Sequence, residues 1–173
     1  SEKGITGSSV AAIAKRAQVS AGYLYRHYPS KEDLVNDLLN DSLHTIAEKI
    51  DELIQQNDRI ENIVEGIIGF ILESANTNPH RIKFVIMLLN DFSIPNKPSV
   101  REQIIRIGET LIEKGRESGS IRNEITVEDF YIALVGIPLQ YLATRFRFDF
   151  GPHDCNLDAE TRKITELSMC AIK

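Results

Sequence analysis

The sequence predicts an all-α protein, and three observations carry that prediction. Apolar residues recur at three- and four-residue intervals along nearly the whole chain. Ser, Thr, Asp and Asn stand repeatedly just ahead of those stretches, where a side-chain oxygen can accept from the free N–H groups of a first helical turn. No convincing strand, internal repeat or low-complexity segment interrupts the pattern. With 173 residues, 42% of them hydrophobic, the chain can bury a core in one or two domains.

Taken in order, Ser8 or Ser9 caps a first helix through about Ala17, with Val10, Ile13, Ala14 and Ala17 on its apolar face. Ser20 caps a second helix to about Tyr28, and the short connection between them makes the two cross steeply. Pro29 ends the second helix, and Ser30 with Asp33 forms the start of a long third, apolar from Leu34 and Leu38 through Ile46, Ile50 and Leu53 to about Gln55. Asp58 is expected to cap a helix from Ile60 to about Thr77, and Asn78-Pro79 opens another through Asn90. After the breaking stretch "SIPNKP", Ser99 to Ser118 reads as helix, with Gly119 as its C-terminal cap. Thr126 and Asp129 form a capping box for "VEDFYIALVGIPLQYLATRF", which is apolar on more than one face. Pro138 lies inside that segment, so a kink is expected near Leu134 or Val135. A last helix runs from about Asp158 to Ile172.

Charge is distributed unevenly. The net charge is −5, yet residues 1–31 carry five basic residues and one acidic, a local net of +4. A short basic segment ahead of an acidic body is the pattern of a module that meets a polyanion. Across its end, "SAGYLYRHYPSKEDL" gathers Tyr, Arg and His on one short helix and sets Lys31 just beyond it. If Val10, Ile13, Ala14 and Val19 make a small core with Leu24 between the helices, then Tyr23, Tyr25, Arg26 and His27 are left outward. A recognition helix needs that arrangement: hydroxyl, guanidinium and imidazole donors facing a groove while the preceding helix braces it. Lys31 stands in the first turn of the long helix, where a cation opposes the dipole; a phosphate shared with backbone N–H groups would account for it.

The segment "SSVAAIAKRAQVSAGYLYRHYPSKEDL" resembles the TetR family signature, approximately T-S/T-x-x-x-I-A-x-x-A-G-V-S-x-G-x-L-Y-x-H-F-x-S-K-E-x-L. The matching positions are Ile13, Ala14, Ala17, Val19, Ser20, Gly22, Leu24, Tyr25, His27, Ser30, Lys31, Glu32 and Leu34. The resemblance implies a helix-turn-helix domain over residues 1–33 and a helical effector-binding and dimerisation domain over 34–173. It implies a ligand-responsive dimeric transcriptional regulator, a repressor that binds double-stranded operator DNA and is released by a small-molecule effector. By that analogy Gly22, Tyr25, His27 and Lys31 touch phosphates, with Ser9 also at the DNA. Ala21, Tyr23 and Arg26 face base edges, Arg26 being the residue best suited to read guanine O6 and N7. The sequence departs from the signature at Gln18, where the family has glycine, and at Ala21, often a basic position. "SEKGITG" resembles the tail of the family's first helix, so that helix is expected to be missing from this chain.

For the body, Phe70, Phe84, Met87, Leu88, Phe92, Tyr131 and Tyr141 lie in helices that line an effector pocket in the family, pointing to an apolar or aromatic ligand. Arg81, Arg145 and Arg147 are the candidate anchors for an anionic one. Leu142, Ile164, Leu167 and Ala171, on the last two helices, are the expected homodimer interface. No H-E-x-x-H, G-x-S-x-G or glycine-rich phosphate loop is present, and the four histidines are dispersed, so an enzyme is not expected and no catalytic residue, metal or cofactor is assigned. Cys155 and Cys170 lack zinc spacing and read as small residues in or near a helical core. No run approaches the roughly 20 apolar residues of a membrane span, and no signal peptide is evident, so a cytoplasmic location is expected. The alternatives are a constitutive DNA-binding protein with no effector and, behind it, a helical enzyme.

Overall fold

A computed structural model describes residues 9–90, 98–148 and 156–173, and every regular element within them is helical. The two shortest helices come first. In α1 (Val10–Arg16) the Ser9 side chain accepts from the Ala12 N–H, and in α2 (Ala21–His27) Ser20 accepts from Tyr23. Between them the chain reverses at Gln18, whose φ of +59° is left-handed. Non-glycine residues pay about 1 kcal/mol for that conformation, which is the cost that the glycine of the signature avoids. Val19 is 38% exposed, contrary to the expectation that it joins the core; it follows directly on the reversal at Gln18.

The long helix α3 (Lys31–Gln56) is capped by Ser30, which accepts from Asp33 N–H. Its 26 residues extend about 39 Å at 1.5 Å per residue. Burial along it falls into two parts. Leu34 and Val35 are buried near its start, Leu38 is 43% exposed, and Ile50 and Leu53 are buried near its end. The apolar stripe is therefore covered by different partners at its two ends. Val10, Ala14, Leu34 and Val35 stand outside the main core, which begins at Ile50.

The body is built around α4 (Ile60–Thr77), whose Ile60, Ile63, Val64, Ile67, Ile68 and Leu72 are almost fully buried. Its N-cap is Arg59, with no side-chain cap bond, so Asp58 does not play the expected role. Packed around it are α5 (Pro79–Leu89), capped by Asn78, and α6 (Pro98–Glu117), which ends at Gly119 with φ +67°. The capping box of Thr126 and Asp129 opens α7 (Val127–Tyr131). A five-residue π turn, Ile132–Gly136, follows and leads into α8 (Ile137–Phe148). Pro138 supplies the reason: it offers no N–H to the Leu134 carbonyl, so the chain widens, and Ile137 N–H donates to Ile132 O. The expected kink takes this form. Finally α9 (Leu157–Ile172), capped by Asn156, lies along α4 and closes the core with Ile164, Met169 and Ile172.

Three glycines set the spacing of the body. A Cβ at Gly66 would sit 2.5 Å from Leu53 Cδ2, so α3 and α4 touch closely only because that position is bare. One at Gly108 would lie 2.8 Å from Val127 Cγ1, and one at Gly115 would collide with Ile121. The last two draw α6 against α7 and the segment that precedes it.

Candidate nucleic-acid interface

No residue of α2 is buried. Ala21 and Leu24 are half-buried, while Gly22, Tyr23, Tyr25, Arg26 and His27 are exposed. Tyr23 is 54% and Tyr25 47% exposed, high values for aromatic side chains in a folded unit. The Tyr23 and His27 rings lie 4.8 Å apart with their planes tilted by 57°, which gathers the two on one side of the helix. Lys15 and Arg16 are exposed at the end of α1 and Lys31 is half-buried at the start of α3. Ser9 is exposed, but its oxygen is engaged as a cap, 3.1 Å from the Ala12 N–H. The surface thus presents cations and hydroxyls at the reversal and along α2, the donors that phosphates and base edges accept.

One positioning contact has no signature in the sequence. The Tyr28 hydroxyl, just past α2, donates to Asp37 at 2.9 Å. The bonded carboxylate holds the Tyr28 phenol above its ordinary pKa.

The body residues scatter. Phe70, Phe84, Met87, Leu88, Tyr131 and Tyr141 are all half-buried, and Phe92 lies outside the described residues. Burial pushes the Tyr131 phenol pKa up. Two surface clefts open on the body. Phe70 lines one of them with Gly66, Gly69 and Thr161, and none of the other expected effector residues lines either. Tyr141 is committed elsewhere: its hydroxyl donates to Glu160 at 2.6 Å, and Arg145 donates to both oxygens of the same carboxylate at 3.1 and 3.0 Å. Glu160 is 7% exposed, so this charged network ties α8 to α9, and Arg145 is occupied in it. Arg81 lies 3.8 Å from Asp41, and Arg147 stacks 5.5 Å over Phe148.

The expected dimer residues divide. Leu142 and Ile164 are each 1% exposed and belong to the core around α4, which removes them from any surface. Leu167, 51% exposed, and Ala171 point outward from α9. Ile132 in the π turn is likewise exposed, at 53%. Cys170 is exposed and free rather than in a core, and Cys155 lies outside the described residues. Among the described residues no group of three or more His, Cys, Asp or Glu is placed to hold a metal, and no helix is long and apolar enough to cross a membrane.

Residues 1–38 match the family described as bacterial regulatory proteins, tetR family. The chain is 31% identical over 71 residues to the nucleoid occlusion factor SlmA of Marinomonas sp. (strain MWYL1), a match covering 41% of this chain and 36% of that protein. It is 27% identical over 150 residues to the HTH-type transcriptional repressor DhaR of Mycobacterium sp. (strain GP1), covering 76% of this chain and 70% of the repressor. In fold it superposes on the transcriptional regulator FadR of Bacillus subtilis, solved with stearoyl-CoA, at a TM-score of 0.72 and 20% identity, over 99% of this chain and 92% of that one. The helix-turn-helix at the start thus matches the TetR family, and the whole chain shares the fold of solved regulators such as one of the tetR family from Rhodococcus RHA1, at a TM-score of 0.69 and 16% identity over 99% of this chain and 89% of that one.

Proposed function

We propose that this chain is a dimeric, ligand-responsive repressor acting in the cytoplasm on double-stranded operator DNA. Residues 1–33, with the first turns of α3, form the DNA-reading unit, and the rest forms the effector-binding and dimerisation body. The observation that carries the reading is the exposure of Tyr23, Tyr25, Arg26 and His27 along a helix that buries none of its residues. Tyr25, His27, Gly22 and Lys31 hold phosphates, and Ser9 stands at the DNA backbone. Ala21, Tyr23 and Arg26 face the bases. Pairing runs through the outer face of α9 and the π turn, with Leu167, Ala171 and Ile132 at its centre.

Release follows from a population shift. Two recognition helices must sit roughly 34 to 36 Å apart to enter successive major grooves. A small apolar or aromatic effector among the body helices pivots α3 and changes that spacing. A tenfold loss of operator affinity needs only about 1.4 kcal/mol of preference for the non-binding arrangement. FadR of Bacillus subtilis, with stearoyl-CoA bound, is a precedent for a ligand in such a body.

The test is fluorescence anisotropy of the full-length protein on a duplex obtained by selection. Arg26→Ala should weaken binding by about 1–3 kcal/mol and relax preference at one base pair. Equal affinity for all duplexes before and after the substitution would remove the reading.

A further inference from the structure

We infer that the cleft between α3 and α6 binds a small amphipathic zwitterion, of the kind represented by an α-amino acid with an apolar side chain. The cleft encloses about 290 Å³. Its two walls are helical stripes of the same spacing. On α3 they are Ala47, Ile50, Asp51 and Ile54; on α6 they are Gln103, Arg106, Ile107 and Thr110.

Two such stripes would ordinarily interdigitate. Here each helix is held elsewhere: α3 by Leu53 against bare Gly66 on α4, and α6 by bare Gly108 against Val127. The gap between them is a consequence of those two close approaches. Its floor is apolar, with Ile50 buried and Ile54 and Ile107 half-buried. Asp51 projects from one wall and Arg106 from the other, both exposed. Among the described residues neither has an ion-pair partner.

That charge pattern selects the ligand. An anion would meet Asp51, a cation would meet Arg106, and a neutral apolar ligand would engage neither charge. A molecule with a carboxylate, an ammonium group and an apolar tail satisfies Arg106, Asp51 and the floor together. Size narrows the class further. At about 290 Å³ the cleft lies at the small end of ligand pockets, which run from about 300 to 1,000 Å³, and so suits a molecule the size of leucine or phenylalanine.

A bridging ligand would draw α3 toward α6. Asp51 lies 20 residues from Lys31, about 30 Å along the helix, so a small rotation at the cleft becomes a larger displacement at α2. This makes the cleft an effector site, a consequence that rests on the regulator reading above; occupancy of the cleft does not.

The experiment uses the full chain with L-leucine and L-phenylalanine at millimolar concentration, followed by calorimetry and thermal shift, against L-leucinamide and N-acetyl-L-leucine, which each lack one charge. At least one amino acid should bind, and its singly charged analogues should bind at least tenfold more weakly. Arg106→Gln and Asp51→Asn, both surface substitutions, should each reduce affinity at least tenfold while leaving the unliganded melting temperature in place. Binding of the analogues as tightly as the amino acid, indifference to both substitutions, or no binding of either amino acid overturns the site. Binding that obeys these rules but leaves operator affinity unchanged would keep the site and remove its role as a switch. Loss of operator binding by the unliganded protein would instead count against the DNA-reading unit.

Discussion

The Tyr28 hydroxyl donates to the Asp37 carboxylate at 2.9 Å, nine residues on and across a helix boundary, and so fixes the end of α2 against the second turn of α3. The bond favours the protonated phenol, and its folded pKa is raised above the unfolded value, first through the hydrogen bond and then through the carboxylate charge. The stabilisation is therefore complete below the ordinary tyrosine range and is lost as pH rises through the raised folded value. Tyr28→Phe should cost about 0.5–1 kcal/mol in chemical denaturation at neutral pH, with the gap to the parent narrowing in alkali. Operator affinity should fall several-fold, because α2 loses a tether. Unchanged affinity would mean that the contact does not orient the recognition helix.

Gln18 offers a test of opposite sign. It adopts φ +59° in the reversal between α1 and α2, a conformation that costs a residue with a Cβ about 1 kcal/mol. Gln18→Gly should raise stability by an amount of that order, less the extra entropy of an unfolded chain with another glycine. The denaturation midpoint measures it. A lower midpoint would show that the Gln18 side chain contributes more than its backbone costs.

Two other glycines separate packing from binding. A Cβ at Gly115 would collide with Ile121, so Gly115→Ala should destabilise by about 1–3 kcal/mol. A Cβ at Gly22 meets nothing within 4 Å. Gly22→Ala should therefore melt at or slightly above the parent temperature, since alanine also favours helix. If Gly22 lies against a phosphate, the same change weakens operator binding. Melting curves and anisotropy on the two variants distinguish the roles, and intact binding by Gly22→Ala would withdraw that residue from the interface.

Legibility tracked the range of the chemistry involved. The caps at Ser9, Ser20, Ser30, Asn78 and Thr126 were readable because the donor and acceptor lie within three residues. Pro138 announced an irregularity because a missing N–H acts one turn away. Exposure of Tyr23, Tyr25, Arg26 and His27 followed from the narrow apolar side of two short helices. Contacts across long separations were not readable. Glu160 meets Tyr141 and Arg145 19 and 15 residues away, so Arg145 looked available for a ligand when it was already paired. The α3–α6 cleft depends on bare glycines on other helices, which no periodicity records.

The same limit governs the dimer. Because α8 is apolar on more than one face, period alone cannot tell which of its sides meets the core, and Leu142 proves to lie in it; on α9, Ile164 also turns into the core although it stands only three residues from exposed Leu167. Leu167 faces out at 51% exposure, and so does Ile132, at 53%, on the π turn that packs against α9. The two leucines should therefore respond differently to a charge. Leu142→Asp would bury a carboxylate with no partner, at a cost of several kcal/mol, and should leave the chain unfolded by circular dichroism. Leu167→Asp adds a charge where water already reaches, so helicity and monomer stability should survive. In a two-fold pairing, however, the aspartate is brought toward its own copy and must give up water, which should shift the protein to monomer in sedimentation. A folded Leu167→Asp protein that still sediments as a dimer would move the pairing surface away from the outer face of α9.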